Sequence, residues 1–497
     1  MWSRDLTTLL LLLSFGCAAR EPDEVQCGEL SLTSAGEAKN LALVVSDTLR
    51  RDRIGSYGGP ADTPTLNAFA RDHLVFERAF TQAPWTKPAI ATLFTSLYPS
   101  QHQVTSHTDA AQRFAHQPLK QPVRVTDVLG EEFTTLAEVL DGAGYRTAAF
   151  VSNPWLDQRF GFGQGFDHYD DSFARWGAPG RTVSESAIDW LAALAPGARF
   201  FLYVHYIDVH APYGPLTPAD LLDGSEAPQV DPHSLSEAAR RRIPELLRWS
   251  FAVDFPVDVV PSRPLLELAY DRGVEEFDSA LAPLLASLAL HPDYPRTAVI
   301  VTSDHGESLF ERGFQGHGTS LFLEEVAVPF LARLPGVSPQ RSRVLCPIGL
   351  VDLLPAVCEY LAVDCPSRLF GVSFLGPDAQ ERPIISEGVH GQPRHRAIRS
   401  EGFTLILEPD GPPLQSLPDV SSGPRQSLGA LYRRGDDPGE RRNLFAGARP
   451  SREDLARGRS MIRRMRELVP PPDPREPQIA PLDRDLRDQL KEMGYWR

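Results

Sequence analysis

No stretch of this sequence is apolar for long enough to cross a bilayer, no Cys-x-x-Cys pair is present, and no segment repeats. These absences set aside a helical membrane protein, a zinc ribbon and a solenoid. Basic residues are also short. The 50 Lys and Arg stand against 65 Asp and Glu, giving a formal net charge of -15 and a pI near 5.4. Phosphate backbones are gripped by clustered Lys and Arg, so this balance argues against nucleic acid as the main partner. An acidic chain that handles anions needs a local positive centre, and that points to a metal ion. What the chain does have is core material. With 42% hydrophobic residues over 497 positions, it can build one large domain and a smaller one.

The start, Met1-Trp2-Ser3-Arg4, leads into an apolar stretch at 6–15 with the length of a signal-peptide core. Cys17 follows in Leu13-Ser14-Phe15-Gly16-Cys17, which is similar to a bacterial lipoprotein cleavage box. A cut after Ala18 or Ala19 would instead release a soluble product. Either way residues 1–19 predict export, to the periplasm or cell envelope, with membrane contact only through a lipid on Cys17. Four cysteines remain, Cys27, Cys346, Cys358 and Cys365. An even number permits two disulfides, and Cys358 with Cys365 is the easiest local pair.

The chain is organised around Ala83-Pro84-Trp85-Thr86-Lys87-Pro88. Proline is tolerated only in the first turn of a helix, and the apolar run at 89–93 reads as a buried one, so Thr86 is predicted at its N-cap. Free backbone N–H groups and the helix dipole favour an anion there. Taken alone, such a threonine is an ordinary cap.

Other segments give it company. After a linker at 20–38, residues 41–45 form a continuous apolar run, the pattern of a strand buried on both faces, with Asp47 at its carboxyl end. Open α/β sheets place ligands at that end, and a buried acid needs a partner. Strands at 147–151 and 200–204 repeat the pattern, with helices at 64–74, 133–140 and 185–194 between them. The first ends in Ser152-Asn153 and the second delivers His205, Asp208, His210 and Tyr213. His205 lies nearest the strand and reads as a core imidazole. A strand at 297–302, behind a scaffold helix at 266–288, ends in Ser303-Asp304-His305-Gly306-Glu307, which sets a hard ligand beside a borderline one. His317 follows in Gly316-His317-Gly318. Residues 216–264, rich in Pro, Arg and Glu, read as an insertion or lid over the sheet edge within a 39–377 domain. From 378 to 497, strands at 397–399, 403–407 and 431–432 and a basic amphipathic helix at 452–468 predict a small antiparallel subdomain.

Together these pieces resemble the sulfatase family of the alkaline phosphatase superfamily. The likeness rests on Val44-Val45-Ser46-Asp47-Thr48-Leu49-Arg50 with Gly55-Ser56-Tyr57-Gly58, Trp85-Thr86-Lys87-Pro88 with Leu97-Tyr98-Pro99-Ser100, Asp208-Val209-His210-Ala211-Pro212-Tyr213, and Ser303-Asp304-His305-Gly306-Glu307 through Gly316-His317-Gly318. Asp437-Pro438-Gly439-Glu440 with Asn443-Leu444, and the ending Met493-Gly494-Tyr495, add the C-terminal subdomain. One such segment is ordinary; five in order are not. The resemblance implies an α/β fold, a mixed and mostly parallel sheet flanked by helices, with the smaller antiparallel sheet after it. It also implies one divalent cation on Asp47, Asp304 and His305 with Thr86 touching it as nucleophile. His210 and His317 would hold the ester oxygens or protonate the leaving group, and Lys87, Asn153 and Asp208 would bind substrate.

The departures shift the expected chemistry. Active members carry Cys or Ser at the Thr86 position and convert it to formylglycine, using an Arg where this chain has Ile90. Threonine cannot become an aldehyde, so no formylglycine is expected. A threonyl ester must be cleared by water at the central atom, a route familiar for phosphorus. The Gly-Lys-Trp-His segment is replaced around Ser152, Asn153 and Pro154, and Thr48 replaces a second acid. An Asp, Asp, His set is softer than an all-oxygen cage and favours manganese or zinc over calcium or magnesium. The expectation is therefore a metal-dependent hydrolase or transferase of small anionic esters on a glycan, a lipid headgroup or an aryl group, with phosphoesters favoured. Two rivals stay open: a sulfuric ester hydrolase working without formylglycine, and a catalytically silent relative that binds anions or glycans.

Overall fold

A computed structural model describes residues 23–32, 40–105, 107–109, 124–175, 178–214, 263–312, 315–377, 379–389, 392–407, 429–446, 450–469 and 478–487. The export signal expected at 1–19 and all but the last two residues of the 216–264 insertion lie outside them. No helix among the described residues is long and apolar enough to cross a membrane.

Nine strands form the central sheet: β1 (Asp23–Val25), β2 (Asn40–Ser46), β3 (Leu74–Phe76), β4 (Arg146–Val151), β5 (His168–Asp170), β6 (Phe200–Tyr206), β7 (Thr297–Ser303), β8 (Phe330–Arg333) and β9 (Ser342–Val344). Their order is β1-β9-β3-β8-β7-β2-β6-β4-β5, and only β8 runs against its neighbours. Every residue of β2, β6 and β7 is buried, which is why their sequences are apolar without alternation. Alternate positions serve two cores. Leu41, Leu43, Val45, Tyr203 and Ile300 pack with α2 (Thr86–Thr95) and α6 (Leu353–Leu361), whereas Ala42, Val44, Leu202 and Val204 face α1 (Pro64–Asp72), α4 (Gly180–Ala193) and α5 (Arg263–Leu290). Each fully buried Leu, Ile or Val is worth about 1.5–3 kcal/mol, so these faces fix the register. Ser46 is level with both Tyr206 and Ser303, so β2, β6 and β7 end on one line.

The helix expected at 133–140 starts later, as α3 (Leu136–Gly142). Thr135 and Glu138 form a capping box there and set its first turn. The C-terminal sheet has one more strand than the pattern suggested, running β10 (Ile384–Val389), β11 (Gln392–Ser400), β12 (Phe403–Leu407) and β13 (Ala430–Arg433), all antiparallel. α7 (Arg452–Leu468) lays Met461, Ile462 and Met465 on it. Its first strand braces the segment before Thr86, since Glu387 N–H donates to the Gln82 carbonyl at 2.7 Å and Ser386 Oγ to that of Thr81 at 2.7 Å. Disulfides join Cys27 to Cys346 and Cys358 to Cys365.

His102 offers a test of this core. Val104 N–H donates to its Nδ1 at 3.1 Å and Thr92 Oγ1 lies 3.0 Å from its Nε2, so the buried ring is held neutral. Burial lowers its pKa to about 3. The unfolded chain takes up a proton near pH 6.5 and the folded ring does not. Stability should therefore decline as pH falls from about 6.5 toward 3. In thermal melts, His102→Gln should show a shallower decline over that window than the parent; parallel curves would contradict it.

Candidate active site

The shared line of strand ends delivers the acids. Asp47 follows β2, and its N–H donates to the Tyr206 carbonyl at 2.9 Å. Asp304 follows β7, where Ser303 Oγ bonds the Ser46 and His305 carbonyls at 2.7 and 2.6 Å and ties the two strand ends together. Asp304 Oδ1 accepts from Thr48 N–H at 3.2 Å and His305 N–H at 2.8 Å, which turns Oδ2 outward. Thr48 sits at φ 58°, a left-handed conformation costly for a β-branched residue, and it persists because neighbours fix both its backbone groups.

Thr86 arrives from the other side of the sheet end. The extended residue before α2 is Trp85, so Thr86 opens the first turn and does not serve as the cap predicted from sequence. Among the described residues its hydroxyl bonds no helix N–H. Instead Oγ1 lies 3.3 Å from His305 Nε2 and 3.3 Å from Asn153 Nδ2. Asn153 Oδ1 accepts from Trp155 N–H at 2.7 Å, which orients its amide so that Nδ2 also donates to Asp47. His305 Nε2 is 3.4 Å from both Asp47 Oδ1 and Asp304 Oδ2. Four of the expected residues, Asp47, Thr86, Asp304 and His305, thus converge, with Asn153 across from them.

The two acids are in electrostatic conflict. Burial and then the Asp304 charge push Asp47 well above the usual carboxylate range, while His305 and His205 pull Asp304 down against the effect of its own burial. Among the described residues, Asp47 Oδ1 and Asp304 Oδ2 accept no hydrogen bond. Orphaned, fully buried carboxylate oxygens facing an imidazole are donors that could hold a cation. Burial also drops His305 to about 4, leaving it neutral and able to bind a metal at pH 7.

His205 adds a donor that the sequence reading placed in the core. It is fully buried, but neither ring nitrogen finds a hydrogen bond among the described residues. Its Nε2 is 3.7 Å from Asp304 Oδ2, and one ligand atom each from Asp47, His205 and Asp304 fall within 4.8 Å of one another. The available signal was register: His205 pairs with Val45 on β2, two positions before Asp47, on the face that α2 covers.

His317 and His210 flank this group. The His317 ring centre is 4.6 Å from that of His305 and 5.2 Å from that of His210. Burial lowers both, His317 to about 4. Two other expected substrate residues are engaged elsewhere. Lys87 Nζ donates to Thr126 Oγ1 at 2.7 Å and to the Asp127 carbonyl, under the Phe160 ring at 4.2 Å. Asp208 Oδ1 accepts from Gly180 N–H at 2.8 Å, at the start of α4.

The family model named Sulfatase matches residues 39–363, well over half of the chain. The chain belongs to the sulfatase family. Membership places it among hydrolases of ester bonds. An uncharacterized sulfatase of Escherichia coli (strain K12), YidJ, is 24% identical over 68% of this chain and 70% of its own length. A Delta 4,5-hexuronate-2-O-sulfatase of Bacteroides thetaiotaomicron is 22% identical over 84% of this chain and 86% of its own. The crystal structure of a phosphonate monoester hydrolase of Agrobacterium radiobacter superposes with a TM-score of 0.64 at 19% identity, covering 87% of this chain and 96% of that one. The sulfatase fold, a mostly parallel sheet with a small antiparallel sheet after it, is the architecture described above.

Proposed function

We propose that this sulfatase-family protein is an exported, metal-dependent hydrolase that attacks small anionic esters through Thr86, with phosphoesters preferred to sulfate esters. The observation that carries the reading is Thr86 Oγ1 lying 3.3 Å from His305 Nε2, beside buried carboxylate oxygens that accept no hydrogen bond among the described residues. Asp47, Asp304 and His305 fit a divalent cation, with His205 as a further donor, and two imidazoles with two carboxylates favour manganese or zinc. When bound, that ion would polarise the ester and make the Thr86 hydroxyl more acidic.

The chain's own residues supply the rest. Asn153 holds the Thr86 oxygen and Asp47 in one geometry. As Thr86 Oγ bonds phosphorus its proton passes to the neutral ring of His317 or His210, the bond to the alcohol oxygen breaks, and the departing oxygen takes that proton from the ring. Water then attacks the threonyl phosphate at phosphorus, and Thr86 recovers its hydrogen. A secondary alcohol cannot become the aldehyde of formylglycine, which is the reason for favouring phosphorus. Sulfate-ester hydrolysis without formylglycine is the second reading, supported by the sulfatase names of the relatives.

Side-by-side assays of nitrophenyl phosphate, bis(nitrophenyl) phosphate and nitrophenyl sulfate, with metals added back after chelation, test the proposal. Phosphate or phosphodiester turnover should exceed sulfate turnover and should return with manganese or zinc. A protein that holds no cation and is inert to all three would be a binding module.

A further inference from the structure

Glu307 is fully buried, and the proposed reaction gives it no task. Ser308 pairs with Gly316 and Leu309 with Gln315 in a short antiparallel ladder. One more step of that register sets Glu307 opposite His317, and the side chains meet, with Nδ1 3.1 Å from Glu307 Oε2. Both partners are held from behind. Glu307 N–H donates to the Glu324 carbonyl at 2.8 Å, and its own carbonyl accepts from Arg50 Nη1 at 2.9 Å. This close pass needs glycine before it, because a Cβ on Gly306 would meet the Glu324 carbonyl oxygen at 2.1 Å. On the other strand, Gly318 N–H donates to the Pro84 carbonyl at 2.8 Å, two residues before Thr86.

We infer that Glu307 is a positioning residue for His317: it accepts from Nδ1–H, fixes the ring's tautomer and rotation, and leaves Nε2 to serve the ester oxygen. The same division of labour orients metal-bound and catalytic imidazoles generally. The inference rests on the reading of His317 as a leaving-group acid. In that step the electron pair of the breaking ester bond stays on the alcohol oxygen. Nε2, unprotonated at rest, first takes up the proton that Thr86 Oγ loses on bonding phosphorus; the alcohol oxygen then takes that proton, and the ring is left neutral again with Nδ1–H still on Glu307. Glu307 itself touches no reacting atom.

A good leaving group needs little help from an acid and a poor one needs much, so the effect of Glu307 should depend on the alcohol. The test compares the metal-loaded parent, Glu307→Ala and Glu307→Gln on nitrophenyl, phenyl and alkyl esters of the same acid. Glu307→Ala should lower kcat about 10- to 100-fold on the alkyl ester and hardly change it on the nitrophenyl ester. Glu307→Gln, which keeps an acceptor, should recover most of the loss. An equal loss across all three leaving groups would reduce Glu307 to a structural tie. Nitrogen-15 NMR of the zinc-loaded, histidine-labelled parent gives a readout independent of turnover, with His317 assigned through His317→Gln. The parent should show Nδ1 protonated and Nε2 bare at neutral pH; a bare Nδ1 overturns the inference whether or not the alanine protein folds. If the parent hydrolyses none of the esters, the hydrolase reading falls, and the ring signals still decide the pairing.

Discussion

Thr86→Ala is expected to lower kcat on a phosphate ester by at least about 10³-fold while the protein keeps its metal. The substitution deletes the hydroxyl placed between His305 Nε2 and Asn153 Nδ2 and leaves the carboxylates untouched. It should cost little stability, since Thr86 caps no backbone N–H and alanine is a good helix former. Metal analysis and a thermal melt should therefore match the parent. Thr86→Ser keeps an oxygen in place and should retain measurable turnover. Peptide mapping after an acid quench should find phosphate on the Thr86 peptide of the parent and none on the matching peptide of the alanine protein. Full activity in the alanine protein would remove the proposed nucleophile.

Asp304→Asn should weaken metal binding by at least about 100-fold and turnover with it, more than the loss of an outer-shell partner costs. The amide oxygen can still accept from Thr48 and His305 N–H, so the strand end keeps its shape. What is lost is the charge on Oδ2, which faces His305 and His205 at 3.4 and 3.7 Å. The sign of the stability change identifies the cause. Without metal, Asp47 and Asp304 repel each other in a dry site, so the variant should be no less stable than the parent after chelation. With metal, the parent should gain the larger increment, because a tighter ligand stabilises more at the same concentration. Titration calorimetry and paired melts would check both. A variant destabilised equally with and without metal would show Asp304 to be structural and not a ligand.

Much of this was legible in the sequence because it depends on local pattern. Unbroken apolar runs marked β2, β6 and β7, since a strand covered on both faces has no polar side to show. Position at a strand end marked Asp47 and Asp304, and the Pro88 turn marked the start of α2. The extra strand β10 was missed because it borrows stability from the segment before Thr86 as well as from its own pattern.

Sequence by itself determined the fold, the family resemblance and the residue types that meet at the site, because motif order and hydrophobic period are properties of the chain. Tertiary structure alone decided the partners. His205 joins the acids through the register of β6 on β2, Glu307 meets His317 through a two-rung ladder, and Lys87 turns to Thr126 and Asp127. Each is set by where two distant segments come level, and one residue's slip would send the side chain to the opposite face.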